Sequence, residues 1–582
     1  MSIDSPQQSI QAHHWSAALV KNSETICWLF LFGLFAAQSA YWIVAPLDCD
    51  VAFYLYGANR MLEGARLYVD VIDVNPPLIF YLSALPASIA NLLGWSQAIT
   101  FKLSFITLAL LSFVLSERLT RESVSLSPGW MRKLFLLALA FVFFLIIEDE
   151  FGEREHLMFV LVMPYVLASI GFAESRSIRG TFAVFIGALA GLGMALKPHF
   201  LLLWVAIEVY LKLAYPKKSN WRRPENGSIA VVLMTYGVVV LLLSHEYFGI
   251  AAMGARVYGA YSHLRLIDLL TQPTIKLWIL GLVTFVAARF NPQNRATKEV
   301  LFNASTAFLL IAMIQQKGWR YHFYPAQATV ILLLTITVPQ ILEAFEAGRE
   351  AMKREALYRF TGENLRLPRI IRVAATVVLT IMALGLYKPI LTSMRIGYWS
   401  LDAAYNVAKG NTSFREAVST LLQNSFEEGL KPSVKQLIPV VEEYADRKPI
   451  LVLSTSMQPA FPLVNHTNAI WSSRFSCLWL LPGSYQNPSL SQAGSPYHNP
   501  DQMDDIERFL FQAVISDMAK EPPALLIVES SSWKLGFGQT KFDYIEYFSQ
   551  DARFTSLLSQ YDLLTKKTSS YGSYDIYKRR ET

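Results

Sequence analysis

The chain has 582 residues, of which 53% are hydrophobic and only 16% are charged, and its mean hydropathy is +0.31. Soluble domains carry about 25% charged residues, so this composition indicates a multi-pass membrane protein with some soluble material attached. This composition also excludes a disordered chain and a collagen. A secreted disulfide scaffold is excluded because three cysteines cannot build a disulfide framework. A single bridge between Cys49 and Cys477 is conceivable if both face the same compartment. The net charge of +6 is typical of basic cytoplasmic loops, and we expect no nucleic-acid partner.

Apolar runs predict about eleven transmembrane helices. The first run, Ile26–Val44, is long enough to span, since about 20 residues cross a bilayer. No cleavage site is evident after it, so we expect a retained anchor. The remaining spans are predicted at 97–116, 134–147, 157–173, 181–196, 200–214, 229–244, 274–290, 300–314, 325–343 and 370–390.

Basic residues are concentrated in alternate loops, which predicts the topology. They include Arg132 and Lys133, Lys217 and Lys218, and a dense run from Arg349 to Arg372. The positive-inside rule places these loops in the cytoplasm. The N-terminus is then inside, and everything after residue 391 is outside. This assignment leaves the apolar stretch 77–93 without a crossing to make, so we predict a helix in the outer interface there.

Residues 391–582 lack long apolar runs and are predicted to form an α/β domain on the outer face, following a membrane domain over 1–390. Alternating or continuous apolar segments of strand length predict strands, and periodic ones predict amphipathic helices. The predicted helices are Thr412–Glu428, Val434–Arg447 and Met503–Lys520. The predicted strands are Pro449–Leu453, Ala524–Val528 and a hairpin within Tyr561–Lys578, and Pro482–Pro500 is predicted as a long loop.

Two carboxylates open the first outer loop. Asp48 and Asp50 follow the first predicted span and precede a predicted helix, Val51–Leu62. An aspartate in this position commonly caps a helix. A carboxylate shielded at a membrane interface can also act as a general base, and such shielding would raise its pKa. Both interpretations remain open at this point.

The second outer loop ends with a carboxylate and an imidazole at the start of a predicted span, Glu155 and His156. Helix N-termini favour acidic residues through their dipole. The alternative is contact with a substrate or a metal ion. Neighbouring residues on a helix do not share a face, so both side chains point inward only if the helix begins between them.

Cations and aromatic residues gather in three further outer turns, whereas the helix centres are nearly free of charge, with Glu208 the main exception. Interfacial Lys and Arg often only anchor helices to headgroups. Together, however, these groups would suit a phosphate that carries a lipid tail. They are Lys197, His199, His263, Lys317, Arg320, Tyr321 and His322.

Three other classes of protein compete with an enzyme that binds a lipid phosphate and modifies an acceptor. A transporter or lipid flippase would carry charges inside its helices and inverted repeats, and neither is clear. A surface receptor or scaffold gives no reason for carboxylates and cations at several outer turns. A hydrolase or phosphotransferase acting on lipid phosphates differs from a transferase in its products.

The first outer loop resembles that of the GT-C glycosyltransferases, closest to the protein mannosyltransferase and lipid A aminoarabinose transferase branch, like glycosyltransferase family 39. The likeness covers about residues 25–325 in order. It departs where the family often has Asp-Glu and this chain has Asp50-Val51, and where Glu153–His156 replaces the usual Arg…Asp. The matching segments are Asp50 followed by Tyr54, Glu63-Gly64, Tyr68-Val69-Asp70, Asn75-Pro76-Pro77-Leu78 and Lys197-Pro198.

The resemblance implies a plasma (inner) membrane enzyme that transfers a sugar, with inversion, from a polyprenyl-phosphate donor to a cell-envelope glycan, lipid or protein at the outer face. It implies that Asp50 is the base, with Asp48 beside it. A divalent metal ion is an open expectation, with His156 and His263 as ligands next to Glu155. The other substrate-binding residues expected are Lys197, Arg320, Lys317, His322, Tyr54, Tyr321 and Glu155.

Overall fold

The structure is a computed structural model of the chain. It describes residues 45–358 and 430–580, apart from gaps at 127–128, 148–149, 177, 218–222, 262–263, 290–293, 486–496, 539–540 and 571. Before residue 45 and between 359 and 429, only scattered positions are described.

Nine of the eleven predicted spans coincide with helices of the structure. Five of these helices are long and apolar enough to cross a membrane: Gln97–Thr120, Arg154–Ala173, Pro224–Leu243, Arg295–Ile314 and Arg320–Phe345, the last within a helix that continues to Tyr358. The other four are shorter: Gly129–Phe144, Gly180–Ala195, Leu201–Ala214 and Pro273–Ala288. The predicted spans 26–44 and 370–390 lie outside the described residues, so the total of eleven stays a prediction.

The apolar stretch that topology left without a crossing is a helix, Leu78–Leu93, and it ends at Gly94, whose φ is +66°. This left-handed conformation suits glycine at a helix C-terminus. The helix packs closely on Cys49–Leu62, because a Cβ added at Gly57 would lie 2.5 Å from the ring of Phe80. Its placement in the outer interface remains a prediction.

The helix Arg154–Ala173 lies at the centre of the helical part, and nearly all of its residues are buried. Its Phe159 contacts the rings of Phe143, Phe308 and Tyr324, which belong to three different helices. A polar side chain in the first turn of this helix is therefore surrounded by protein, and burial of a charge is costly unless it is paired. Charged residues at the start of this helix therefore need partners from neighbouring elements.

A second polar cluster lies near the other end of the same helix. The hydroxyl of Tyr165 donates to Glu208 Oε1 over 2.7 Å, and Arg223 forms ion pairs with Glu208 and Glu225. The guanidinium of Arg223 lies 4.5 Å from the ring of Phe172. We call these four polar residues the far cluster. At a rise of about 1.5 Å per residue, Phe172 is about 27 Å along the helix from its first residue.

The C-terminal segment contains a five-stranded sheet with the strand order β2-β1-β3-β5-β4. Strand β1 is parallel to both β2 and β3, whereas β5 is antiparallel to β3 and β4. The two predicted core strands and the predicted hairpin are confirmed; β2 was not predicted. The strands are β1 Pro449–Leu453, β2 Ile470–Trp471, β3 Leu525–Glu529, β4 Tyr561–Ser569 and β5 Gly572–Arg579.

Helices flank the sheet. Pro432–Tyr444 and Asp505–Lys520 confirm two predicted amphipathic helices, and the third, Thr412–Glu428, falls largely outside the described residues. In the helical part, the helix predicted at Val51–Leu62 is confirmed and begins two residues earlier, as Cys49–Leu62. Five further helices were not predicted, and most of them are too short to show a periodicity. They are Tyr247–Val257, Leu266–Leu270, Ala460–His466, Tyr544–Phe548 and Ala552–Leu558.

The C-terminal sheet domain contacts the first outer loop directly. The backbone N–H of Ile72 donates to the carbonyl of Arg474 over 2.7 Å, and Ile72 forms a β-bridge with Phe475. The side-chain amide of Asn465 donates to the carbonyl of Ala52 over 2.9 Å. These bonds join residues about 400 positions apart in the sequence, so the two parts form a common surface.

Cys49 and Cys477 are free thiols in the structure. The bridge that the cysteine count left conceivable is therefore not formed.

Candidate active site

A cavity of about 700 Å³ lies between the helical part and the C-terminal sheet domain. It brings together residues from several of the turns that the sequence predicts on the outer side. Of the residues that the sequence singled out, it is lined by Asp48, Asp50, Lys197, His199, Lys317, Arg320, Tyr321 and His322.

The two aspartates of the first loop have different positions. Asp48 is the N-cap of the helix Cys49–Leu62, and its Oδ1 accepts the N–H of Asp50 over 3.0 Å. Asp50 lies in the first turn and faces the cavity. Burial, only partly offset by the nearby Arg154, raises the pKa of Asp50 to about 6. The capping interpretation thus holds for Asp48, and Asp50 has a pKa suited to a general base near neutral pH.

Arg154 was not predicted as a site residue, yet it organises the side chains around Asp50. Its Nη2 lies 3.9 Å from Asp50 Oδ2, its guanidinium lies 5.0 Å from the ring of Tyr54, and it donates to Oδ1 of Asn75. A guanidinium presents several donors in a fixed plane, so it can hold Asp50 and Asn75 in a fixed relation. Only its position at the start of a buried helix hinted at this role.

Tyr54 was predicted to bind substrate, but the structure places it behind the cavity lining. Its side chain is buried, its ring is covered by Arg154, and its hydroxyl accepts from Nδ2 of Asn75 over 3.3 Å. Tyr54 therefore supports residues that face the cavity and is not itself part of the cavity lining.

Glu155 is also buried and lies behind the cavity lining. Its Oε1 accepts from Lys197 Nζ over 2.5 Å and lies 3.6 Å from Nε2 of His322. Lys197 faces the cavity, and its Nζ is also 3.4 Å from Oε1 of Gln315. Burial and repulsion from Arg154 lower the pKa of Lys197, and Glu155 opposes this change. Glu155 thus holds a cation at the cavity surface and does not itself line it.

Lys317 lies between two aromatic rings. Its Nζ is 3.6 Å from the ring centroid of Tyr258 and 4.2 Å from that of Trp319, distances at which an ammonium is attracted to the ring face. Burial, together with repulsion from Lys197 and Arg154, lowers the pKa of Lys317 to about 7. A bound anion would favour its charged form, so its protonation is coupled to phosphate binding.

The predicted metal ligand His156 is a core residue. Its Nδ1 accepts the backbone N–H of Gly152 and its Nε2 bonds the carbonyl of Phe143 over 2.9 Å, so both nitrogens are occupied. Its ring packs against Phe105 and Phe151. The other predicted ligand, His263, lies outside the described residues. The expected metal set of Glu155 with two histidines is therefore not assembled in the described part of the chain.

Three carboxylates offer a different place for a cation. Ligand oxygens of Asp48, Asp50 and Glu153 lie within 4.8 Å of one another. Glu153 is fully buried and its Oε1 has no hydrogen-bond partner in the described part of the chain. Burial and repulsion from Asp50 and Asp48 raise the pKa of Glu153 well above its ordinary value. Either a proton or a hard divalent cation, which prefers oxygen ligands, would relieve this repulsion.

Sequence reasoning also missed the contribution of the C-terminal sheet domain. The loops after β1 and β2 lie at the carboxyl ends of parallel strands, which is where α/β sheets commonly bind ligands. The predicted strand β1 was the only sequence feature that pointed to a contribution of this domain to the cavity. We call the following lining residues the neutral wall: Thr455, Ser456, Met457, Ser476, Cys477, Trp479 and Leu535.

The fold and the cavity define a helical membrane protein whose polar site is closed by the C-terminal sheet domain. Among solved structures, the chain is similar to the crystal structure of ArnT from Cupriavidus metallidurans bound to undecaprenyl phosphate, with a TM-score of 0.52 and 12% identity, covering 94% of this chain and 97% of that one. The apo state of the same protein gives a TM-score of 0.49 at 12% identity, covering 97% and 98%.

The likeness to the GT-C glycosyltransferases that the first outer loop indicated is therefore confirmed at the level of the fold. The chain matches no family model and no curated relative.

Proposed function

We propose that the protein is a membrane glycosyltransferase that moves a sugar from a polyprenyl-phosphate donor to an acceptor hydroxyl of a cell-envelope glycan, lipid or protein at the outer face of the membrane. The observation that carries the proposal is one cavity lined by both a carboxylate with a raised pKa, Asp50, and the cations Lys197, Lys317 and Arg320. The solved structure with the same fold contains undecaprenyl phosphate, which is a ligand of the proposed class.

Asp50 removes the proton from the acceptor hydroxyl in this mechanism. The freed oxygen forms a bond to the anomeric carbon of the donor, and the bond from that carbon to the phosphate oxygen breaks. Attack from the side opposite the leaving group inverts the configuration. The products are the glycosylated acceptor and polyprenyl phosphate, and the proton remains on Asp50 until it passes to solvent. Arg154 lines the cavity beside Asp50 and positions it, because its Nη2 lies 3.9 Å from Asp50 Oδ2.

The leaving phosphate gains charge as its bond to the sugar breaks. Cations that are already in position stabilise such charge without having to reorganise during the reaction. Lys197 is held in place by Glu155, and Lys317 by the rings of Tyr258 and Trp319. Arg320 completes the group of cations on the cavity lining. This arrangement gives Lys197 and Lys317 fixed locations, which a set of headgroup anchors would not need.

A divalent metal ion is a further part of the proposal. The residues that would hold it are Asp48, Asp50 and Glu153, whose oxygen-only donor set suits Mg²⁺, Mn²⁺ or Ca²⁺. With the ion bound, Asp50 would be a ligand and not the proton acceptor, and the positive charge of the ion would instead lower the pKa of a nearby hydroxyl. Chelation of the purified protein, followed by return of each ion, tests this point through the transfer rate and the melting temperature.

A flippase is the main competing function. Its substrate path would need polar groups along the helices between the two membrane faces. The far cluster is a buried polar group away from the cavity, and its charges pair with each other. The cavity residues, in contrast, face an open space, which favours chemistry at one face.

Binding of undecaprenyl phosphate to the purified protein in nanodiscs tests the donor site. Lys197→Ala and Arg320→Ala should each weaken binding by about ten- to a hundredfold, because a charge-assisted hydrogen bond contributes about 1.5–3 kcal/mol. Lys276→Ala is the matched control, since Lys276 is exposed and does not line the cavity. Unchanged binding in both cavity variants removes these residues from the site. Product analysis with a lipid-linked sugar then separates a transferase from a hydrolase.

A further inference from the structure

The cavity has two faces of different chemistry. The helical side supplies the ionisable groups, including Asp50, Asp73, Arg154, Lys197 and Lys317. The C-terminal sheet domain supplies the neutral wall, which consists of hydroxyls, a thiol and apolar or aromatic side chains. Lys431, just before the helix Pro432–Tyr444, is the charged lining residue that the described C-terminal segment adds.

The loop after β1 is held rigidly and presents one hydroxyl to the cavity. Oγ of Ser454 donates to the buried Glu529 over 2.8 Å and accepts the N–H of Ser456 over 2.9 Å. Thr455 is committed on both sides, since its N–H donates to the hydroxyl of Tyr544 and its Oγ1 donates to the carbonyl of Leu535. The hydroxyl of Ser456 has no partner among the described residues, so it is available to a ligand.

The loop after β2 is held just as firmly. The N–H of Leu478 donates to the carbonyl of Ser454, and the carbonyl of Trp479 accepts from the hydroxyl of Tyr261. The hydroxyl of Ser476 has only a weak contact, 4.0 Å to the sulfur of Cys477. The indole of Trp479 is only partly buried and lines the cavity. Two available hydroxyls and an aromatic face therefore stand on one rigid surface.

We propose that the neutral wall binds the sugar ring of the lipid-linked donor and sets which sugar is accepted. A serine hydroxyl both donates and accepts hydrogen bonds, as sugar hydroxyls do, and an aromatic face packs against the apolar face of a ring. A wall without charge cannot neutralise a phosphate, so the phosphate lies on the cationic face. The ligand class that fits both faces is a neutral, hydroxyl-bearing sugar on a lipid phosphate. This inference rests on the proposed function.

Rigid hydroxyls give selectivity because a missing or misplaced partner leaves a polar group unsatisfied on binding. Each such mismatch costs about 1–3 kcal/mol. A wall built from loops that are fixed to β1 and to the helical part cannot adapt to a different arrangement of sugar hydroxyls. Selection at this wall therefore does not require any change in the phosphate site, and the two properties can be measured separately.

The test uses the full-length protein in nanodiscs with two kinds of ligand. One is undecaprenyl phosphate alone; the other is undecaprenyl phosphate carrying glucose, mannose, galactose or arabinose in turn. Ser456→Ala and Ser476→Ala should weaken the best-bound sugar lipid by about 2- to 10-fold, and Trp479→Leu by about tenfold. Affinity for undecaprenyl phosphate alone should stay at the wild-type value. Ser473→Ala, in the same loop but outside the cavity lining, is the control.

The outcomes separate this inference from the proposed function. A wild-type protein that does not bind undecaprenyl phosphate overturns both. If the variants bind the bare and the sugar-bearing lipid equally more weakly, only the role of the neutral wall is overturned. The same holds if no sugar raises the affinity of the wild-type protein above that for the bare lipid. If the variants keep the affinity for the sugar-bearing lipid but have a raised KM for the acceptor, the neutral wall binds the acceptor. That result overturns the proposal that it binds the donor sugar. Melting temperatures identify any variant that is weakened by misfolding; the two serine variants remove one atom each and are the decisive pair.

Discussion

Among the described residues, the far cluster can be compared with the charged side chains around the cavity, and only the latter have the features of an active site. We call these the cavity cluster: Asp50, Glu153, Arg154, Glu155, Lys197, Lys317 and His322. In the far cluster, Arg223 lies between Glu208 and Glu225, and the charges offset one another. In the cavity cluster, Lys197 and Asp50 each have an opposite charge nearby but also face open space. A buried charge alone therefore does not indicate a functional site. A charged side chain that lies between helices and also lines a cavity is the better indicator.

Polar atoms without partners sharpen this comparison. Around the cavity, Oε1 of Glu153, Oε2 of Glu155 and Nδ1 of His322 are buried and have no hydrogen bond within the described residues. In the far cluster, Nη1 of Arg223 has no hydrogen bond either, but it lies 3.2 Å from Glu225. Leaving a buried polar group unsatisfied is costly. These three buried polar atoms around the cavity lack a hydrogen bond within the described part of the chain, which is expected where a bound ligand supplies the missing partners.

The largest effect is expected at Asp50. Asp50→Asn preserves the shape of the side chain but cannot accept a proton, and general base catalysis contributes about 10²–10⁴-fold. We expect the transfer rate to fall by about that factor, with unchanged binding of undecaprenyl phosphate. Asp48→Asn should reduce the rate less, because Asp48 caps the helix. If the double variant retains near wild-type transfer, the base is not in this loop.

A matched pair of cation removals distinguishes the two clusters directly. Lys197→Met leaves Glu155 buried without its cation, and Arg223→Met does the same to Glu208 and Glu225. Breaking a buried ion pair costs about 3–5 kcal/mol, so both variants should lower the melting temperature. Only Lys197→Met should also raise the dissociation constant for undecaprenyl phosphate. An equal loss of binding in Arg223→Met would make the far cluster part of the site.

The pH dependence of kcat/KM should report the titration of both Asp50 and Lys317. Asp50 acts in its deprotonated form, and its pKa of about 6 means that activity is lost as the pH falls through 6. Lys317 acts in its protonated form, and its pKa of about 7 means that donor binding weakens as the pH rises above 7. Each limb should approach a tenfold change per pH unit. Lys317→Arg should move the alkaline limb upward, because a guanidinium stays protonated; a profile without this shift contradicts the role of Lys317.

The smallest effect is expected for an exposed ion pair between the two parts of the molecule. Arg256 and Asp505 form two hydrogen bonds of 2.7 Å, but their side chains are 56% and 68% exposed. Exposed pairs contribute about 0.2–1 kcal/mol. Arg256→Ala should therefore change the melting temperature only slightly and leave transfer unchanged. A large loss of activity would mean that the sheet domain is held mainly by charge and not by the loop contacts.

The sequence carried the positions of the helices and the main chemistry of the site, because both depend on local patterns. Lys197, Lys317 and Arg320 stand at the ends of long apolar runs, and Asp50 lies next to another such run. Strand β1 was visible as a short apolar segment. These features need only the neighbouring residues to be interpreted, and the structure brings them to one cavity.

The directions of individual side chains could not be predicted in the same way. Arg154, Glu155 and His156 are consecutive, yet the first contacts Asp50, the second holds Lys197 and the third packs in the core. Successive residues of a helix point about 100° apart, and a single sequence does not say which direction faces the site. The neutral wall depends on contacts between residues hundreds of positions apart, which no local pattern records.

The strand order of the sheet has a consequence for how the protein is made. Strand β3 lies between β1 and β5, and β5 is the last of the five strands to be translated. The ribosome therefore delivers the described helices, with Asp50 and Lys197, well before the strand that completes the sheet beside Ser456. We therefore expect the sheet that supports the neutral wall to be completed only after the final hairpin has been made, when the helices that carry Asp50 and Lys197 already exist.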